Sequence, residues 1–320
     1  MLDEIKVDKE LKIIFMGTPD FSVPVLEGLI AQYKIRAIVT QPDRLIGRLQ
    51  KQIFPPIKQV GLDHTILVLQ PEKIRNNVEE IAFLEPDLII TCAYGQILPK
   101  EILNIPRLGC INVHASLLPI LRGGAPIQRA IMEGYSKTGI TIMHMDSKMD
   151  EGDIIAQMET DISETDTASS LHDKLSLLGR DLLLKTLSSI IDGTAPRTKQ
   201  NVSEATYGFI IKRENEKIKF DRTKREIYNQ VRALNSWPGA YCLLDNMVLK
   251  VWECHLTDNT FPTHFDGQIT AIYEDGLGIK VSNGEIVLTQ VQLEGKKKMT
   301  ASDFLNGVAN KQSLIGKILV

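Results

Sequence analysis

Short apolar runs alternate with longer amphipathic stretches through the first half of the chain. Lys12–Met16 reads as a buried strand, broken at Gly17-Thr18-Pro19. Asp20 stands where it can cap a helix running to about Gln32, in which Phe21, Val25, Leu26 and Leu29 recur at helical spacing. Ile35–Thr40 predicts a second strand, and Gln41–Pro56 (QPDRLIGRLQKQIFPP) reads as a basic loop. A helix over Lys73–Leu84 precedes a strand at Asp87–Cys92, and a shorter helix at Leu98–Leu103 precedes a strand at Gly109–His114. Ala125–Glu133 has helical periodicity and Gly139–His144 reads as a strand. Strands alternating with helices imply an α/β fold with a mostly parallel sheet covered on both faces. In such sheets ligands bind beyond the carboxyl ends of the strands.

The pattern changes after a long amphipathic helix over Thr167–Ile191. Asp192–Thr206 is polar and carries Gly193 and Pro196, which marks a linker. One helix, Lys224–Leu234, then leads into five short runs: Ala240–Leu244, Met247–Glu253, Gly267–Tyr273, Leu277–Val281 and Ile286–Gln292. Turn residues such as Asp245-Asn246 and Asn283-Gly284 separate them. Five short strands in so little chain suggest a small β-barrel of OB type. The expected division is residues 1–191 as one domain, 192–210 as linker and 211–320 as a second domain.

Composition changes this picture little: 43% hydrophobic and 24% charged residues in 320 suit two ordinary globular domains. A net charge of −3 is not that of a strongly basic nucleic-acid binder, but it hides an asymmetry. From Ile211 onward Lys+Arg number 15 against 13 Asp+Glu, whereas the preceding residues carry 22 against 27. The four cysteines, Cys92, Cys110, Cys242 and Cys254, are far apart and form no CxxC pair, so reduced thiols are expected. The first residues, MLDEIKVDKELK, contain no apolar run suited to a signal peptide, and no stretch of about 18 apolar residues predicts a membrane span. A cytoplasmic protein without membrane attachment is expected.

Chemistry concentrates in Gly109-Cys110-Ile111-Asn112-Val113-His114. Alternation along a strand puts Asn112 and His114 on one face, with Ile111 and Val113 on the other. Two polar side chains on one face of a buried strand are costly unless hydrogen-bonded or placed at an open strand end. They therefore form either a site or a structural pair that ties down the loop that follows. A second cluster, Asp146-Ser-Lys-Met-Asp150-Glu151-Gly152-Asp153, lacks the ligand order of a calcium loop; it is either a solvated turn or the source of a carboxylate that reaches His114. No metal set emerges. Gly17-Thr18-Pro19-Asp20 lacks the later glycines of a dinucleotide fingerprint, and GxxxxGK[ST] and GxSxG are absent.

Several segments together resemble the methionyl-tRNA formyltransferase family among the folate-dependent formyltransferases. They are IIFMGTPDFSVPVL, QPDRLIGR, PDLIITCAYGQILPKEIL, LGCINVHASLLPILRGGAPIQRAI, TGITIMHMDSKMDEGDI, WPGAY and GKKKM. The resemblance implies a Rossmann-like formyltransferase domain followed by an OB-like barrel. It puts Asn112, His114 and Asp150 on the family's catalytic positions. Ser116, Leu117, Leu118 and Pro119 fall on the folate loop, and Ala93, Tyr94, Gly95, Gln96, Ile97 and Leu98 line the pterin pocket. The formyl donor it implies is 10-formyltetrahydrofolate, with initiator methionyl-tRNA as acceptor, no metal and a monomeric enzyme. Arg44 and Arg48, then Arg222, Lys224 and Arg225, and Lys296, Lys297 and Lys298 are the expected tRNA contacts. The sequence departs from the family pattern at Leu45-Ile46, Leu49-Gln50, Ile120-Leu121 and His144, none of them in the catalytic trio. A sugar-amine N-formyltransferase using the same donor is the alternative.

Overall fold

The computed structural model describes residues 11–46 and 51–320. The chain forms two compact units, one of residues up to Pro126 with Lys137–Thr160 and His172–Gly208, the other of Ile127–Ser136, Asp161–Leu171 and Phe209–Val320.

In chain order the elements through residue 191 are β1 (Ile13–Gly17), α1 (Val23–Ile30), β2 (Ile35–Val39), β3 (Arg44–Ile46), β4 (Lys51–Ile53), α2 (Pro56–Asp63), β5 (Val68–Leu69), α3 (Val78–Phe83), β6 (Leu88–Cys92), α4 (Lys100–Leu103), β7 (Cys110–His114), α5 (Pro126–Met132), β8 (Lys137–His144), β9 (Ile154–Asp161) and α6 (Ala168–Ile191). The main sheet has the order β5-β2-β1-β6-β7-β8-β9. Pairing is parallel from β5 to β7 and antiparallel between β7 and β8. All five residues of β1 and of β6 are buried, as a strand covered on both faces requires. After β1 the chain fills one side of the sheet with β2 and β5, then crosses to β6 and β7. The strand order therefore reverses between β1 and β6, and that crevice is where open α/β sheets bind ligands.

Several elements of the first unit, the short strand β5 among them, were not apparent in the hydrophobic pattern. The basic loop contains a small antiparallel hairpin, β3–β4, with Arg44 opposite Ile53. Helix α2 starts at Pro56, where fixed φ suits the first helical turn although the Phe-Pro-Pro approach reads as loop. Strand β9 lies at the sheet edge and alternates between covered and solvent-facing residues, so it shows no continuous apolar run.

The second unit contains α7 (Arg213–Glu216), α8 (Lys224–Ala233), β10 (Ala240–Leu244), β11 (Met247–Leu256), β12 (Ile269–Ile272), β13 (Leu277–Val281), β14 (Gly284–Leu293), β15 (Met299–Thr300) and α9 (Ala301–Asn306). Its sheet is antiparallel, in the order β10-β11-β14-β13-β12, with β15 on β14. The last residues close it. Leu243 and Val320 exchange backbone hydrogen bonds of 2.7 and 3.1 Å on the β10 edge. On the other edge Ile269 N–H donates to the Lys317 carbonyl and Leu319 N–H to the Gly267 carbonyl, both at 2.8 Å. Both free edges are thereby paired, which is how a small barrel avoids edge-to-edge association. Helix α8 begins with a reciprocal cap: Thr223 Oγ1 accepts from Glu226 N–H, and Glu226 Oε2 accepts from Thr223 N–H at 2.9 Å. Its Ile227 and Val231, with Leu234 at its C-cap, enter the same core as Leu249, Val251, Ile279 and Leu288. No helix among the described residues is long and apolar enough to cross a membrane.

Candidate active site

Strand β7 carries the site. Asn112 pairs in register with Thr91 of β6, and His114 with Thr141 of β8. The Thr91 hydroxyl stands 2.9 Å from Asn112 Oδ1, which fixes the amide oxygen against the sheet. The Asn112 NH₂ then points away as an available donor. Its half-buried setting, where pairing with β6 ends, keeps that donor within reach of a ligand.

His114 is buried, and its Nε2 lies 3.2 Å from the Leu121 carbonyl oxygen. A carbonyl can only accept, so Nε2 carries the proton and Nδ1 is the nitrogen left with an open lone pair. Asp150 Oδ1 faces that Nδ1 at 3.8 Å, too long for a direct hydrogen bond but within ion-pair range. The other carboxylate oxygen accepts the Gly123 N–H at 2.8 Å. Gly123 is at φ +111°, a region that disfavours side chains, and a Cβ there would press on the Gly208 carbonyl at 3.2 Å. Gly152 is needed for closeness instead: a Cβ would sit 1.8 Å from the His144 carbonyl oxygen where the Asp150 turn folds against β8. The acid cluster thus divides its duties. Asp146 caps Lys148 N–H at 2.7 Å, Asp153 approaches Arg197 at 3.4 Å, and Asp150 alone reaches His114.

The residues expected to form the folate loop follow directly after β7. Ser116 Oγ donates to the Ile120 carbonyl at 2.5 Å, while Thr141 Oγ1 donates to the Ser116 carbonyl and accepts Leu118 N–H. These bonds make Ser116-Leu117-Leu118-Pro119 a fixed turn beside His114. The other loop, Ala93–Leu98, leaves β6 at the switch point, where Thr18 Oγ1 and Gln41 Nε2 both donate to the Tyr94 carbonyl. Tyr94 and Leu98 are buried, and burial pushes the Tyr94 phenol up. Gln96 Oε1 accepts Ile74 N–H at 2.8 Å, and Ile97 is left 73% exposed at the crevice. An exposed apolar side chain beside fixed backbone polar groups suits a flat heteroaromatic ligand.

Residues 11–187 match the Formyl transferase family and residues 210–309 the Formyl transferase, C-terminal domain, family. A Methionyl-tRNA formyltransferase of Bacillus licheniformis is 51% identical over 92% of this chain and 95% of its own length. One from Bacillus subtilis is 49% identical over 92% of this chain and 94% of its own. The chain belongs to the methionyl-tRNA formyltransferase family. Solved structures share the fold at lower identity. The sugar 3N-formyl transferase WlaRD, solved with dTDP and 5-N-formyl-THF, superposes at TM-score 0.64 with 21% identity over 90% of this chain and 99% of its own. HypX from Aquifex aeolicus with tetrahydrofolic acid gives 0.63 and 16% over 94% of this chain and 48% of its own.

The expected RNA contacts of a methionyl-tRNA formyltransferase differ in their local settings. Arg44 is exposed on β3, whereas Arg48 lies outside the described residues. Asp43 anchors this hairpin, binding Lys58 at 2.6 Å, Gln52 at 3.0 Å and Gln70 at 2.8 Å. The hydrogen bond from Gln70 and the Lys58 ammonium hold its carboxyl below the usual range. Arg222 is exposed beside α8, and Arg225 pairs with Glu164 and stacks on Tyr228. Lys224 is turned inward, its Nζ donating to the Thr257 carbonyl at 2.6 Å, and is thereby engaged within the fold rather than offered to a phosphate. Lys296 and Lys297 are exposed; Lys298 lies over the Trp252 ring and 3.7 Å from Glu253. Thr91, Leu121, Gly123 and Gln200 join the site without having been expected there. Only Thr91 left a signal, as a polar residue inside the otherwise apolar LIITC strand.

Proposed function

We propose that this enzyme transfers the formyl group of 10-formyltetrahydrofolate to the free amine of methionyl-initiator tRNA, with Asn112, His114 and Asp150 as its catalytic residues. The observation that carries the reading is the convergence of an unspent amide donor with a His–carboxylate pair, at the strand end beside a fixed loop, in a chain half identical to such enzymes along nearly its whole length. Ala93–Leu98 and Ser116–Pro119 are the residues we assign to the folate. The folate supplies an N10-bound formyl carbon as electrophile. The new amine–carbon bond forms as the carbon–N10 bond breaks, the amine loses one proton, and N10 regains one.

Asn112 donates its Nδ2–H to the formyl oxygen as negative charge develops there, an electrostatic role typically worth about 10²–10³ in turnover. His114 Nδ1, the nitrogen left free by the Leu121 carbonyl, takes the amine proton, and Asp150 stabilises the resulting imidazolium. Positioning and charge stabilisation together suffice for transfer from an activated amide. Arg44, Arg48, Arg222, Arg225 and Lys296–Lys298 are the residues we assign to the tRNA. A monomer in the cytoplasm is the form we propose, in keeping with an aminoacylated tRNA as acceptor.

The acceptor assay decides the function: labelled formyl from 10-formyltetrahydrofolate is offered to methionyl-initiator tRNA and, in parallel, to a dTDP-linked amino sugar. Label on the tRNA alone is expected. Label on the sugar alone would retain the site chemistry and overturn the acceptor.

A further inference from the structure

We propose that Gln200–Gly208 acts as a strap that positions the His114–Asp150 pair, with Gln200 and Thr206 as positioning residues; the inference rests on the catalytic reading above. The segment falls in what the sequence presents as linker. Instead it runs along the loop after β7. Thr206 N–H donates to the Pro119 carbonyl, Arg122 N–H to the Thr206 carbonyl, Gly208 N–H to the Arg122 carbonyl and Ala125 N–H to the Gly208 carbonyl, at 2.7–3.2 Å.

The strap holds two residues in the left-handed region, the hydrogen-bond partner of His114, and Asp150 itself. Leu121 is at φ +57° and Asp150 at φ +54°. Such a conformation is unusual for a branched side chain like Leu and persists only where surrounding bonds over-determine it. Thr206 Oγ1 accepts the Leu121 N–H at 2.8 Å, and the carbonyl of that same Leu121 is the acceptor that sets the His114 tautomer. Gln200 Nε2 donates to the carbonyls of Asp150 and Gly152, at 2.8 and 2.9 Å, bridging the turn that carries the carboxylate.

Gln200 is itself fixed. Its Oε1 accepts from Arg122 Nε at 3.1 Å and Nη2 at 2.9 Å, so the amide can face the turn only with its NH₂. Arg122 is 1% exposed, and its Nη1 lies 3.4 Å from Glu151 without a hydrogen-bonding alignment. A buried guanidinium balanced by the residue next to Asp150 makes this arrangement stiff. Cutting either contact frees one member of the pair while leaving Asn112 and the Ala93–Leu98 loop as they are.

The test uses the full chain and the variants Thr206→Val, Thr206→Ser and Gln200→Ala, with 5-formyltetrahydrofolate titration counting functional sites in each preparation. The expected result is a kcat lowered roughly 10- to 100-fold in the Val and Ala variants, the range for a reacting group displaced by about 1 Å. Folate affinity, site count and tRNA KM stay unchanged, the acid limb of the kcat–pH profile moves, and Thr206→Ser restores wild-type behaviour. Wild-type kcat and pH profile in both variants would overturn the strap, as would activity lost only in proportion to folate sites. Nitrogen NMR of His114 provides a reading independent of turnover. The Nε2–H tautomer should be present in the wild type and weakened in Thr206→Val; an identical tautomer and titration in both would also overturn the proposal. A wild-type enzyme that bound folate but formylated no methionyl-tRNA would instead refute the acceptor assignment, and the NMR comparison would still decide the strap.

Discussion

Replacing Asp150 with Asn isolates the charge at the centre of the mechanism. Asn has the same shape, and one of its side-chain atoms can still accept the Gly123 N–H that holds Asp150 Oδ2 at 2.8 Å. The loss is the negative charge 3.8 Å from His114 Nδ1, where both side chains are largely covered. At an effective dielectric of about 20, such a pair is worth roughly 4 kcal/mol once the imidazole is charged. Relaxation of the site and residual solvent reduce this, and about 1.4 kcal/mol corresponds to a factor of ten. A fall in kcat of roughly 10²–10³ is therefore expected, with folate affinity and melting temperature close to wild type. The assay is saturating formyl transfer to methionyl-tRNA, paired with folate titration and thermal unfolding of the same preparation. A kcat within threefold of wild type would refute the reasoning, because proton acceptance by His114 would then owe nothing to the carboxylate.

Three further outcomes test other parts of the account. Burial first, then the Arg197 charge, lowers the pKa of His144, so the unfolded chain takes up the proton at higher pH than the folded one. Stability from this residue is complete above its ordinary value of 6.5 and is lost as pH falls from there through the folded value; urea midpoints of His144→Gln should show a shallower acid loss than wild type, and equal slopes would contradict this. Burial pushes the four cysteine thiols up to about 12, so a thiol reagent at neutral pH should label them only after denaturation, and rapid labelling of the folded protein would contradict their placement. Lys296→Ala combined with Lys297→Ala should weaken tRNA binding and reduce its logarithmic salt slope by about 1 per lysine that contacts phosphate, measured by filter binding; an unchanged slope would remove both from the interface.

The first unit was legible because buried parallel strands are apolar on both faces, as IIFMG and LIITC are, and because period-2 alternation put Asn112 and His114 on one side of β7. Strand β9 escaped because an edge strand exposes alternate residues and competes poorly with loop as a reading. Barrel closure by the chain end was equally hidden: Lys317, Leu319 and Val320 act through backbone groups, which leave no side-chain pattern. The same reason hid the strap. Gln200 and Thr206 look like ordinary linker residues, and their roles depend on the left-handed turns at Leu121 and Asp150 that only the folded backbone reveals. Residue type singled out candidate groups for chemistry, whereas the groups that hold them are matters of geometry.

The most direct test of the central claim is a single-turnover measurement of formyl transfer to methionyl-tRNA by the wild type and by Asn112→Ala, with folate affinity taken on the same samples. Transfer slowed roughly 10²–10³-fold in the variant with folate affinity nearly unchanged is expected, as for a lost oxyanion donor. Transfer at the wild-type rate would show that the amide freed by Thr91 is not the group that stabilises the reacting oxygen, and would contradict the mechanism built on it.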